Sequence, residues 1–178
     1  QKADYWIPIK CNTDTALFLG ITKILMDEKL YDTDYVKKFT DFPLLVRTDT
    51  LKRLKPQDII PDYKLEDISH GPSYKIQGLH DDQREIIGDF VVWDSKTNGP
   101  KPITRDDVGD KLVAKGIDPV LDGTFKVKTV DGKEIEVMPL FEMYKIHLKD
   151  YDIDTVVEIT NSPKELIERL AHDIATIK

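Results

Sequence analysis

The sequence predicts an α/β protein: part of a layered, parallel-sheet domain carrying an irregular Pro-rich insertion, a β-hairpin and C-terminal helices. Three observations predict it. A short apolar run, Trp6-Ile7-Pro8-Ile9, passes through a polar loop, Lys10-Cys11-Asn12-Thr13-Asp14, into a helix opened by Ala16-Leu17-Phe18-Leu19-Gly20-Ile21, the order of a strand feeding a crossover helix. Pro56, Pro61, Pro72, Pro100, Pro102 and Pro119 punctuate the middle, among Gly71, Gly78, Gly88, Gly99 and Gly109. After them come an alternating pair of apolar runs and two segments of helical period. The expected divisions are 1–55 for the partial α/β domain, 56–138 for the insertion with its hairpin, and 139–178 for helices that return to the α/β domain.

The first helix is expected from Thr13 to Glu28. Its apolar positions cover more than one stripe, which predicts a helix sandwiched between layers. Gly20 costs roughly 1 kcal/mol inside a helix, and close packing on a neighbour is the usual compensation. Asp32 or Thr33 can cap a short second helix bearing Tyr35, Val36 and Phe39. Leu44-Leu45-Val46-Arg47 reads as a brief strand, and Phe90-Val91-Val92-Trp93 as a second, with Lys96-Thr97-Asn98-Gly99 as the turn after it. Trp6 and Trp93 read as core.

Thr124 to Val130 and Glu134 to Val137 alternate in polarity, and Asp131-Gly132 between them is a two-residue hairpin signal of type I′. Phe125, Val127, Ile135 and Val137 share its inner face. Pro139 opens a helix carrying Leu140, Phe141, Tyr144 and Leu148, with Ile146 off that stripe. A shorter helix follows from Asp154 to Ile159. Ser162-Pro163-Lys164-Glu165 has the form of a capping box, starting an amphipathic helix with Leu166, Ile167, Leu170, Ile174 and Ile177 on one face.

Composition limits the functions open to the chain. With 178 residues, 40% hydrophobic and 33% charged, it can bury a core of its own. A net charge of −7 argues against nucleic-acid binding. The basic residues Lys52, Arg53 and Lys55 are flanked by Asp49 and Asp58 and read as a solvated face. No apolar run is long enough for a membrane helix, so no direct membrane insertion is expected, and no signal peptide is visible. Gln1 stands a few residues before the first strand, as expected of a cut or processed chain. The lone Cys11 excludes an internal disulfide and any four-cysteine zinc or iron–sulfur site within these residues.

Chemistry concentrates at the first strand-to-helix loop. Such a turn leaves backbone N–H groups and a positive helix end directed at one spot, suited to a phosphate or a base. An ordinary N-cap at Thr13 or Asp14 uses the same residues. Elsewhere the signals are structural. Arg47-Thr48-Asp49 reads as a strand-end arginine paired with a nearby acid. The acid pairs Asp81-Asp82 and Asp106-Asp107 read as solvated turns. His70, His80, His147 and His172 have no metal-ligand spacing, and no Walker, GxGxxG or nucleophile motif occurs.

Three segments in order carry a family resemblance: Asp4 to Leu17, Phe39 to Thr50, and Tyr151 to Ala171. The first and third resemble stretches of the molybdopterin oxidoreductases of the dimethyl-sulfoxide-reductase type. The second is similar to the nitrate reductase and nitrite oxidoreductase catalytic subunits. The resemblance implies an internal fragment of a molybdenum enzyme that carries a bis(molybdopterin guanine dinucleotide). It further implies oxygen-atom transfer at molybdenum between nitrate and nitrite, a pattern that chlorate, perchlorate, selenate and hydrocarbon-oxidising relatives share and from which the sequence does not separate them. It also implies an iron–sulfur cluster elsewhere in the parent enzyme and no redox catalysis by these residues alone. The implied partners are the remainder of the catalytic subunit and an iron–sulfur electron-transfer subunit, in a membrane-associated complex facing cytoplasm or periplasm. In such enzymes the acid after the first strand meets the guanine of one dinucleotide. That role falls on Asp14, with Thr13 and Lys10 as weaker partners and no metal ligand. Cys11-Asn12 replaces the family's usual Pro-Gly; Asn12 can keep the turn because asparagine tolerates left-handed backbone. A subunit-docking module without cofactor contact is the alternative.

Overall fold

The computed structural model describes residues 3–66 and 86–176. They fall into two compact units, 1–32 with 143–178, and 33–142. His70, His80, Asp81, Asp82, Pro72, Gly71, Gly78 and Ile177 lie outside the described residues. The α/β class stands, but all strand pairing in both sheets of the described residues is antiparallel. This corrects the parallel layering expected from the strand-to-helix order. Local order alone does not state which strands pair, because the partner of each is set by contacts far along the chain.

In the first unit, helix α1 (Asp14–Asp27) buries one stripe, Ala16, Leu17, Gly20 and Ile21. Phe18 remains 59% exposed, so α1 is a one-faced helix within this unit rather than the sandwiched one its composition predicted. The core is completed by helix α6 (Ile153–Thr160) and helix α7 (Lys164–Thr176), whose Val156, Ile167 and Ala171 meet Leu17 and Ile21. Gly20 lies where α1 passes α6. A Cβ placed there would stand 2.7 Å from a Val156 methyl, which accounts for the glycine. Asp152 caps α6 by accepting from the Thr155 N–H at 2.9 Å. The expected capping box at Ser162 is not used: the Ser162 hydroxyl instead donates to the Pro8 carbonyl at 2.7 Å. Trp6 is 77% exposed, correcting its assignment to the core. Residues 5–10 form no regular strand.

In the second unit, α2 (Thr33–Phe39) leads to β1 (Leu45–Arg47), α3 (Pro56–Ile59), β2 (Phe90–Asp94), β3 (Gly99–Ile103), α4 (Asp110–Ala114), β4 (Phe125–Lys128) and β5 (Glu134–Pro139). Helix α5 (Leu140–His147) runs on from β5, its residues from Met143 belonging to the first unit. The three-stranded sheet has the order β1-β5-β4, with Val46 opposite Met138 and Val127 opposite Ile135. Leu45, Leu54, Val91, Trp93, Val127 and Val137 form its core. The Trp93 and Phe125 rings stack at 4.1 Å.

The expected hairpin is present with a different turn. Gly132 has φ of 86°, while Asp131 is not among the positive-φ residues. The Gly132 N–H donates to the Thr129 carbonyl, and the Thr129 N–H to the Lys133 carbonyl. This is the three-residue form, a common turn closed by one left-handed glycine, and not type I′. Strand β3 is not predicted by the sequence, because Pro100 and Pro102 interrupt its ladder. It survives in a two-stranded sheet, where one edge needs no donors. Asp107 also departs from expectation. It is buried and accepts from the Thr104 N–H and hydroxyl and from the Lys115 ammonium.

Buried Asp94 organises the turn after β2. It accepts from the N–H and hydroxyl of Thr97 and from the N–H of Asp118. Burial opposes its charge, but these donors outweigh that and hold the carboxyl below its ordinary range.

Candidate functional site at the first loop

The loop from Lys10 to Asp14 is built by its own backbone. The Lys10 carbonyl accepts twice from Thr13, from its N–H at 3.3 Å and from its hydroxyl at 2.6 Å. The turn is of the kind that places its third residue in the left-handed region, and Asn12 occupies that position with φ of 65°. The turn therefore survives the replacement of glycine, as expected for asparagine.

Thr13 is the residue at the helix cap, but α1 has no side-chain cap bond. The Thr13 hydroxyl is already engaged with Lys10, and Asp14 lies inside the first turn rather than at the cap. The plain capping role considered for these two side chains is thus not filled. Asp14 is exposed, as are Lys10 and Asn12, and its carboxylate has no hydrogen-bond partner among the described residues. The first N–H groups of a helix have no partner within it. The loop therefore presents a carboxylate, an amide and an ammonium beside a positive helix end.

A shallow groove of about 460 Å³ continues from the loop, lined by Pro8, Ile9, Lys10, Glu158 and Asn161. It exists because the segment before the loop is tied to the turn between α6 and α7. The Lys10 N–H donates to the Thr160 carbonyl at 2.8 Å, and Ser162 holds Pro8. The sequence marks Ser162 only as a helix cap and does not single out Thr160. Their partners lie some 150 positions away, and no local pattern marks a buried hydroxyl as one that binds a distant carbonyl.

The remaining sequence candidates are structural. Arg47 makes a bidentate pair with Asp49 at 3.0 and 2.8 Å, which raises the guanidinium and lowers the carboxyl relative to their ordinary values. His172 lies 2.8 Å from Glu28, whose hydrogen bond and charge raise the imidazole above its ordinary value. The exposed Cys11 is a free thiol. Among the described residues no group of His, Cys, Asp and Glu could hold a metal ion, and no helix is long and apolar enough to cross a membrane.

No protein-family model matches the chain. It is 34% identical to the perchlorate reductase subunit alpha of Dechloromonas aromatica, over 99% of this chain and 19% of that protein. It is 32% identical to the respiratory nitrate reductase subunit alpha of Haloferax mediterranei, over 97% of this chain and 16% of that protein. To the chlorate reductase subunit alpha of Ideonella dechloratans it is 30% identical, over 99% and 16%. The chain thus spans less than a fifth of the length of each of these relatives. What the matches define is similarity to a segment of oxidoreductase alpha subunits. These homologues are alpha subunits of molybdopterin oxidoreductases of the dimethyl-sulfoxide-reductase type.

Proposed function

We propose that this chain is a segment of the catalytic subunit of a molybdenum bis(molybdopterin guanine dinucleotide) oxidoreductase, one that interconverts nitrate and nitrite, and that Lys10 to Asp14 form part of its nucleotide site. The observation that carries the reading is the exposed, unpartnered Asp14 carboxylate beside a loop that Asn12 keeps tight. Oxygen-atom transfer would be supplied by the bound cofactor; the protein contributes binding and orientation.

The donor set fits a guanine nucleotide. A carboxylate accepts from both the ring N1–H and the exocyclic amino group of guanine, a pair of donors adenine does not offer. Lys10 adds positive charge suited to a phosphate, and Thr13 and Asn12 keep the backbone close to the ligand. The alpha-subunit designation of the relatives supports association with other subunits; the partners proposed are the remainder of the catalytic subunit and an iron–sulfur electron-transfer subunit.

The test is Asp14→Ala in the assembled full-length enzyme, with guanine nucleotide released by acid counted per enzyme. Removing hydrogen bonds to a charged group weakens retention by about tenfold or more, so nucleotide content should fall. Unchanged content would overturn the site and leave a docking module, a role that the exposed Trp6 and Phe18 would suit. Nitrate reduction and nitrite oxidation, assayed side by side, test the reaction itself.

A further inference from the structure

We propose that Ser162 is a positioning residue: its buried hydroxyl, acting through the Pro8 carbonyl, holds the Lys10–Asp14 loop in the form that receives the nucleotide. The inference rests on the reading of that loop given above and adds a residue that touches no part of the ligand itself.

Two bonds tie the entry of the loop to the turn after α6, where Asn161 is left-handed with φ of 55°. The Lys10 N–H donates to the Thr160 carbonyl at 2.8 Å. The Ser162 N–H is turned inward to the Thr160 hydroxyl at 3.2 Å. The second tie is therefore made by the Ser162 side chain, which donates to the Pro8 carbonyl at 2.7 Å.

Thr160 and Ser162 are 0% and 1% exposed, beside an apolar core of Val156 and Ile167. A buried hydroxyl is unfavourable unless it bonds, and an apolar residue would pack a simple helix–helix turn as well. What the hydroxyl adds is a fixed entry to the loop. From there the chain of bonds continues, with Thr13 closing on the Lys10 carbonyl. Only Lys10, Cys11, Asn12 and the following Asp14 and Thr15 project freely into solvent. Loss of the Pro8 tie leaves the entry to the loop held to the turn after α6 by the Lys10 N–H alone.

The experiment compares Ser162→Ala, Ser162→Thr and Asp14→Ala in the assembled full-length enzyme. Two quantities are read: guanine nucleotide retained through gel filtration, and the melting temperature of the cofactor-free form. A neutral hydrogen bond corresponds to roughly two- to tenfold in an equilibrium. Ser162→Ala should therefore lower retention by about that factor with the cofactor-free melting temperature unchanged, and Ser162→Thr should restore it. Full retention in Ser162→Ala beside a loss in Asp14→Ala overturns the positioning role alone. So does a loss that tracks a fall in melting temperature. Full retention in both variants overturns the nucleotide site as well. Loss in Ser162→Ala with retention in Asp14→Ala keeps the positioning role and removes Asp14 from it.

Discussion

Asn12 is the residue on which the loop's geometry turns. Its φ of 65° is forbidding for a branched side chain and permissible for asparagine or glycine. Asn12→Gly should therefore leave stability within a few tenths of a kcal/mol, whereas Asn12→Val should cost about 1–2 kcal/mol. Chemical denaturation of the two variants measures the difference, and equal stabilities would show that the loop does not hold this conformation. This much of the site was legible in advance: the tolerance of asparagine for left-handed backbone is a local property. The hydrogen bond from Thr13 back to Lys10 was not, since a threonine before a helix has two outlets for its hydroxyl. Which outlet wins depends on whether Asn12 has already turned the chain.

At the scale of elements, Gly20 shows how a helix is specified by its neighbour. Alanine is the better helix former by about 1 kcal/mol. Its Cβ, however, would stand 2.7 and 2.9 Å from the two Val156 methyls, and overpacking of that kind costs about 1–3 kcal/mol. Gly20→Ala should thus destabilise, while Gly20→Ala with Val156→Ala should recover part of the loss. A double-mutant cycle with no coupling between the two positions would refute the contact.

Elements whose pattern is local were read close to their bounds: α1 from its apolar run, β4 and β5 from alternation, α7 from its period. What failed was pairing. Trp6 to Ile9 has the apolar character of a strand, but its Pro8 carbonyl accepts from the Ser162 hydroxyl and the next N–H, that of Lys10, donates to Thr160, so the segment is tied to a helix–helix turn. Strand β3 has the opposite history, with prolines that argue against a strand and a free edge that tolerates them.

For the whole molecule, the decisive fact is what this chain leaves uncovered. Trp6 at 77% and Phe18 at 59% exposed lie in the same unit, one in the segment before the loop and the other on α1. Isolated apolar residues on a surface are ordinary, but an exposed tryptophan with a phenylalanine on an otherwise apolar helix is not. The relatives matched are more than five times longer than this chain. A segment that folds within so large a subunit is expected to lay such residues against the rest of it. Produced by itself, the chain should therefore associate, and light scattering should show species larger than a monomer. Replacing both residues, Trp6→Ser and Phe18→Ser, should shift the distribution towards monomer without lowering helix content, because neither side chain belongs to the buried cluster of Leu17, Ile21, Val156, Ile167 and Ala171. A monodisperse monomer from the unaltered chain would show that these side chains need no cover. The docking role for this face would then fall, while the nucleotide loop, which rests on Asn12, Asp14 and Ser162, would stand or fall on its own tests.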